Sequence, residues 1–176
     1  MKRIPLLIIL VATITLTSCS KKNSDRDGFL GIAWGTPKAE ATKMMLDRQG
    51  VKLSEMNYGD STAVFFDGAM DNGRHLGMLN LWFNHAGLCQ GTYGITWSAT
   101  SSRQLLFDSL HTELVKKLGT PVQDTAGQFF TLWSLPTENK PADTVALLAA
   151  ETGFVFVTYR NGEQFKQKRA ETPNAH

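Results

Sequence analysis

Hydrophobic and polar residues alternate along two neighbouring segments in the first half of the chain, residues 61–70 and 75–83. Alternation of this kind is typical of a β-strand with one buried face. The segments flank Asn72-Gly73, the favoured centre of a type I′ hairpin because both residues tolerate positive φ. The cross-strand pairs predicted are Asp71 with Arg74, Phe66 with Leu79, Val64 with Leu81 and Thr62 with Phe83. These pairs place apolar side chains together on one face of a sheet.

A third strand is predicted beyond His85-Ala86-Gly87, where glycine supplies the left-handed residue that a three-residue hairpin loop requires. The register that follows sets Cys89 opposite Phe83, Gly91 opposite Leu81 and Tyr93 opposite Leu79. Cys89 is then expected to face the core, where a cysteine behaves as a small hydrophobic residue.

Two other segments have the spacing of amphipathic helices. Thr36 is the expected N-cap of the first, with Pro37 at the first helical position and Gly50 at its end. Ser101 and Gln104 fit a capping box at the start of the second. The apolar stripes are Ala41, Met44 and Met45 in the first helix, and Leu106, Phe107, Leu110, Leu114 and Leu118 in the second, which Gly119 and Pro121 terminate.

Three more strands are predicted after the second helix, at residues 129–135, 144–150 and 154–160, with a polar loop over 136–143 and a tight turn at 151–153. The order of elements therefore predicts an α+β fold of two helix-plus-antiparallel-three-strand units in tandem, with the helices packed on one face of the sheet. The alternative is one continuous sheet with two unrelated helices over it. The predicted domain covers residues 29–161, with possible halves at 29–97 and 98–161, and a polar tail at 162–176.

The start of the chain has the pattern of an export signal. Lys2 and Arg3 precede an uncharged apolar segment at residues 4–16. This segment is shorter than the helix of about 20 residues that is needed to span a bilayer. The segment ends in Leu16-Thr17-Ser18-Cys19, which resembles the bacterial lipobox. The resemblance implies a signal peptide at residues 1–18 and a lipid on Cys19, whereas the alternative is an ordinary secretory signal followed by a chance cysteine.

In lipoproteins of this kind the cysteine carries a diacylglycerol, usually with a further acyl chain, and two or three chains anchor a protein stably in a membrane. Residues 19–28 are polar and are predicted to form the lipidated tether. Ser20 follows the cysteine where an Asp would favour the inner membrane in enteric-type sorting. The expected location is therefore the periplasmic side of the bacterial outer membrane.

The second half of the domain carries Leu118-Gly119-Thr120-Pro121 at a helix end and Trp133 in the next strand. This arrangement resembles the small SmpA/OmlA-type lipoproteins of outer-membrane assembly, and in doubled form it resembles the tandem fold of β-lactamase inhibitory protein. The first half departs from the pattern, because Gly35-Thr36-Pro37 lies at a helix start. The resemblance covers residues 29–160 in outline and implies a protein that binds other proteins and is not an enzyme.

Charge and reactive residues narrow the choice of function. Without residues 1–18, Lys and Arg fall from 18 to 16 and equal the 16 Asp and Glu, so a basic surface for nucleic acid is not expected. His75 and His85 lie at opposite ends of one predicted strand, and His111 lacks an H-E-x-x-H spacing. Cys89 has no CxxC partner. The sequence therefore predicts no catalytic residues, no metal and no cofactor.

What remains is an apolar surface. Phe65, Met78 and Trp82 are predicted to lie together on the sheet face opposite the core, where they are a candidate surface for a partner protein. The alternative is that the second half or the loop over 136–143 covers them. The leading hypothesis is a non-catalytic envelope lipoprotein that binds another envelope protein or assists envelope assembly. A carrier of a small apolar ligand and an enzyme with an unrecognised site are the alternatives.

Overall fold

The structure, a computed structural model, describes residues 27–71, 73–97, 102–137, 140–151 and 153–164. The predicted signal peptide, Cys19 and nearly all of the predicted tail lie outside these ranges. The strands are β1 (Gly28–Phe29), β2 (Ile32–Ala33), β3 (Val51–Tyr58), β4 (Ser61–Asp71), β5 (Arg74–Asn84), β6 (Gly87–Thr96), β7 (Gln123–Thr125), β8 (Phe130–Thr137), β9 (Lys140–Ala149) and β10 (Phe154–Arg160), and the helices are α1 (Lys38–Leu46), α2 (Arg103–Leu118) and a 3-10 turn at Ala126–Gln128.

Eight of these strands form one antiparallel sheet in the order β3-β4-β5-β6-β10-β9-β8-β7, while β1 and β2 form a separate small hairpin. Neighbours in the large sheet are consecutive along the chain except β6 and β10, which pair from Gln90–Arg160 to Thr96–Phe154. That ladder joins the strands that follow α1 to the strands that follow α2.

The predicted fold of two helix-plus-three-strand units is wrong. The chain is mostly β, and four strands rather than three follow each helix, all within a single sheet. The sequence reading missed β3 and β7. Every residue of β3 is exposed, so this strand has no buried side chains to create an alternating pattern, and β7 has only three residues.

The hairpin of β4 and β5 has the predicted register: Asp71 pairs with Arg74, Phe66 with Leu79, Val64 with Leu81 and Thr62 with Phe83. Between β5 and β6 the predicted pairs of Tyr93 and Gly91 are confirmed. The pairing of Cys89 with Phe83 is wrong, because a register shift after Trp82 sets Phe83 opposite Leu88. Gly87, with φ +102°, already belongs to β6, so the turn is shorter than predicted.

The predicted polar loop over 136–143 is also wrong. Strands β8 and β9 continue through it as a hairpin, in which Thr137 pairs with Lys140 and Leu135 with Asp143. Both helix starts differ by one residue. Pro37 rather than Thr36 is the N-cap of α1, and Ser102 is the N-cap of α2, where its hydroxyl accepts from the Leu105 amide. The proposed cap Ser101 lies outside the described residues.

The core lies between the sheet and the two helices. The buried stripe of α2 consists of Phe107, Leu110, Leu114 and Leu118, and α1 contributes Ala41 and Met45. These side chains join inward-facing residues of β4 to β6 and β8 to β10 in one continuous hydrophobic cluster. Trp133 is the largest fully buried side chain, and its indole N–H donates to the Gly119 carbonyl at 2.9 Å. The end of α2 is thereby tied to β8.

The β1–β2 hairpin closes the core over the middle of the sheet, where β6 pairs with β10. Phe29 is fully buried and packs edge-on against Tyr159, with 5.8 Å between ring centroids. Its ring lies against Gly91 of β6, where a Cβ would come within 2.1 Å of the ring carbons. Gly91 therefore provides the space that Phe29 occupies, and a larger residue would displace the hairpin.

Candidate functional site

The second face of the sheet carries neither of the described helices, because both pack on the opposite face. We call this surface the helix-free face and define it by the apolar side chains that share it. They include Met56, Tyr58, Phe65, Met78, Trp82, Leu148, Phe154 and Phe156. In most β-sandwiches and α+β folds such side chains would be covered by a second layer.

The candidate residues Phe65, Met78 and Trp82 lie on this face in neighbouring strands. Phe65 is opposite Asn80, which stands between Met78 and Trp82 on β5. Phe65 is therefore the diagonal neighbour of both, a separation that large side chains bridge. Met78 is 38% exposed, and the other two are half-buried. The structure thus places the three residues together, on the face that the sequence predicted.

Strand β3 extends this cluster with residues that the sequence reading missed. Tyr58 stacks on Trp82, with ring centroids 5.0 Å apart and an interplanar angle of 29°. Met56 pairs opposite Ala63, beside Trp82. Met56 and Tyr58 are 48% and 43% exposed. They could have been predicted only if β3 had been recognised as a strand, because residues two positions apart on a strand lie on the same face.

The other extension comes from β10. Phe154 and Phe156 stack with ring centroids 5.5 Å apart, and a Cβ at Gly94 would lie 2.8 Å from the Phe156 ring. Gly94 lies between Met78 and Phe156 in the sheet. Because Gly94 has no side chain, the Phe156 ring covers β6 and continues the apolar surface from Met78 towards Leu148, which is 44% exposed.

Polar groups interrupt the helix-free face along one line across the strands. Thr92 and Thr158 share a hydrogen bond at 3.1 Å, and Asn80 lies next to Thr92. The Oδ1 atom of Asn80 is buried without a hydrogen-bond partner in the part of the chain that the structure covers. An acceptor in this position is costly unless a donor reaches it.

A second feature is a polar cleft of about 280 Å³ where β8 and β9 meet the ends of the described chain. Asp143, only 5% exposed, accepts from Trp34 Nε1 at 2.8 Å, from the Gly162 amide at 2.8 Å and from Asn161 Nδ2 at 3.2 Å. Burial raises the pKa of Asp143 above its usual 3.8, and the charges of Asp27 and Glu163 add to the increase, although the hydrogen bonds from Gly162 and Trp34 oppose it.

The cleft holds carboxylates that already have donors. Asp143 has three, and Glu163 pairs with Lys140 at 3.1 Å. These interactions tie the segment after β2, the β8–β9 hairpin and the residues after β10 to one another. The arrangement is suited to holding the fold together at this corner.

The described ranges contain neither a cluster of metal-binding side chains nor a membrane-spanning helix. Within them, no three His, Cys, Asp or Glu side chains come together in a way that could hold a metal ion. His111 packs against Trp133 and has Nε2 3.3 Å from an Asp124 carboxylate oxygen. Cys89 is 6% exposed, with Sγ 3.3 Å from the Trp82 carbonyl oxygen. No described helix combines the length and the apolar character needed to cross a bilayer.

Comparisons with protein families, curated proteins and solved structures found nothing that matches this chain. The resemblance to outer-membrane assembly lipoproteins therefore stays a prediction.

Proposed function

We propose that this chain is a non-catalytic lipoprotein of the bacterial envelope, anchored by lipid on Cys19, that binds another envelope protein through its helix-free face. The exposure of this face carries the proposal. Met56, Tyr58, Met78 and Leu148 are each between 38% and 48% exposed while lying on the same face of the sheet as half-buried aromatic rings. Apolar surfaces with this aromatic and Met-rich composition are typical of the centre of a protein interface.

The polar line across the face supports a protein partner rather than an acyl chain or other fully apolar ligand. A fully apolar ligand would cover the polar side chains of Asn80, Thr92 and Thr158 without offering them hydrogen bonds, whereas a protein partner carries donors and acceptors. The alternative of an apolar ligand carrier gains no support from the cleft at Asp143. That cleft is below the roughly 300 Å³ at which ligand pockets begin, and charged side chains contribute much of its lining.

The anchor is tested on Cys19. We expect the wild-type protein to fractionate with membranes and to have an intact mass that equals the chain from Cys19 onward plus a diacylglyceryl group, with or without a third acyl chain. Cys19→Ser should lose the acyl mass, since no thiol remains to accept lipid. Cys89→Ser is the matched control, because Cys89 is a buried thiol and its loss should leave the acyl mass unchanged. A wild-type mass without acyl chains would refute the anchor.

The partner surface is tested by affinity capture from detergent-solubilised membranes. Met78→Arg places a charge in the middle of the helix-free face at a side chain that is already 38% exposed, and it should abolish recovery of the protein captured by the wild type. Leu105→Arg is the matched control, because Leu105 is 63% exposed on α2, on the other side of the sheet. Equal recovery by wild type and Met78→Arg, or recovery by wild type of nothing beyond an empty-anchor control, would refute the proposed surface.

A further inference from the structure

Strand β3 forms one edge of the eight-stranded sheet, and its outer side has no neighbouring strand among the described residues. All eight of its residues are exposed, including Val51 at 60% and Leu53 at 63%. The opposite edge is β7, which has only three residues. Proteins usually keep sheet edges short, because a long edge offers free backbone groups to another strand. The sheet is therefore protected at β7 and open at β3.

The outward-facing backbone groups of β3 can be assigned from its hairpin with β4. The strands are joined by Gly59-Asp60, and Gly59 has φ +58°, as in a type II′ turn. A two-residue turn makes Tyr58 and Ser61 a hydrogen-bonded pair. Because such pairs alternate with non-hydrogen-bonded ones, Met56 and Ser54 also form backbone hydrogen bonds with β4. The pair between them and the turn, Asn57 with Thr62, does not. The backbone N–H and C=O of Glu55 and Asn57 therefore point away from the sheet.

We propose that β3 pairs with β3 of a second copy of this chain, antiparallel and about a two-fold axis through Met56. In this arrangement Glu55 and Asn57 of each copy exchange backbone hydrogen bonds, and the two Met56 residues lie opposite each other. The axis is perpendicular to the sheet, so the helix-free faces of the two copies lie on the same side and become one surface. The inference goes beyond the proposed function, since it depends on the strand edge and neither on lipid nor on a different partner.

The side chains of β3 favour this register. Glu55 is bound by Lys38 and by Lys52, the latter at 2.7 Å, and these contacts lower its pKa to about 2, so it is ionised at neutral pH. An axis through Glu55 would set two carboxylates directly opposite each other, which is unfavourable. An axis through Met56 sets Glu55 opposite Asn57, whose amide can donate.

The same register is complementary beyond its centre. It brings Lys52 of one copy towards Asp60 of the other, and it places Tyr58 opposite Ser54. The irregularity between Lys52 and Ser54 lies outside the regular stretch that would pair. A bulge usually ends strand pairing, and here it leaves Ser54 to Tyr58 free of interruption. This self-complementarity is the argument for a second copy rather than a strand from a different protein.

Cross-linking of the full-length protein in membranes or mild detergent tests the pairing. In a non-hydrogen-bonded antiparallel pair the Cα atoms are about 4.5 Å apart, within the range that a disulfide spans. Met56→Cys should therefore shift the protein from monomer to disulfide-linked dimer on mild oxidation, and peptide mass spectrometry should identify a 56–56 link.

Val51→Cys is the matched control, because Val51 is more exposed than Met56 on the same strand. In the proposed register the Val51 residues of the two copies are ten strand positions apart, about 33 Å. The Val51→Cys protein should therefore stay monomeric. If Met56→Cys does not fold, a mixture of Ser54→Cys and Tyr58→Cys chains should give the mixed dimer and neither homodimer. Monomer throughout, or equal cross-linking of Met56→Cys and Val51→Cys, would overturn the proposal.

Discussion

Replacing Trp133 with alanine is expected to lower the free energy of unfolding by about 4 kcal/mol, the cost typical of removing a large aromatic side chain from a packed core. Trp133 is 1% exposed, and its ring packs near His111 at the centre of the interface between α2 and the sheet. The substitution also removes the donor to the Gly119 carbonyl that ends α2. The two losses act on the same helix–strand contact.

The matched control is Trp82→Ala, which removes an equally large ring from the helix-free face. Trp82 is half-buried and stacks mainly on Tyr58, so its loss leaves an exposed surface rather than an enclosed cavity. We expect its effect to be less than half that of Trp133→Ala. Urea unfolding followed by far-UV circular dichroism gives both values, with unchanged slopes to confirm that the denatured states are comparable. Equal losses would contradict the assignment of the two faces.

Asp143→Ala is expected to cost about 3 kcal/mol, because the change leaves buried donors without an acceptor. The donors are the Trp34 indole N–H, the Gly162 amide and the Asn161 amide. Since they belong to the segment after β2 and to the residues after β10, their loss should loosen both segments together. Asp67→Ala, which removes the same carboxylate from an exposed position on β4, should change stability by less than about 0.5 kcal/mol.

The cost of Asp143→Ala should depend on pH in a defined direction. The folded pKa of Asp143 is raised, so the folded state binds its proton more readily than the unfolded state does. This stronger proton binding by the folded state stabilises it. The whole stabilisation is present below the unfolded pKa of 3.8, and it is lost as the pH rises through the folded pKa. The stability advantage of the wild type over Asp143→Ala should therefore be larger near pH 3.8 than at neutral pH. If the difference in unfolding free energy between the two proteins stays constant or decreases as the pH falls, burial of the carboxylate is not the dominant effect.

The sequence predicted best where local chemistry and burial agree. The β4–β5 register follows from the Asn72-Gly73 turn and from alternating apolar residues, and both signals come from adjacent residues. The buried stripe of α2, namely Phe107, Leu110, Leu114 and Leu118, was predicted in the same way from helical spacing. Gly119, with φ +88°, ends the helix as its position indicated.

The errors share a physical cause. Hydrophobic patterning reports burial, and β3 forms because of its backbone bonds to β4 rather than because any of its side chains is buried. Only the end of the β8–β9 hairpin, residues 136–143, was predicted as a loop, because this segment is polar and contains Pro136 and Pro141. Proline is tolerated where its missing N–H does not interrupt the ladder, and periodicity alone does not reveal that.

The candidate surface was predictable only in part for the same reason. Phe65, Met78 and Trp82 follow from the register of one hairpin. Tyr58 depends on the unrecognised β3, and Phe156 depends on the pairing of β10 with β6, which joins residues about 60 positions apart in the chain. A single sequence gives no local signal for such a contact.

That long-range ladder also determines an order of assembly. The strands on either side of it are connected to their neighbours by hairpins, which close quickly because their ends are near in sequence. Pairing β10 with β6 closes a loop of about 60 residues that contains α2 and the other strands of the second set, so we expect it to be the step with the greatest loss of chain entropy. Until it occurs, β6 is a second open edge, with Tyr93 on one side and the bare backbone of Gly94 on the other. A chain whose last strand has not yet been synthesised would present this edge to solvent until that strand arrived.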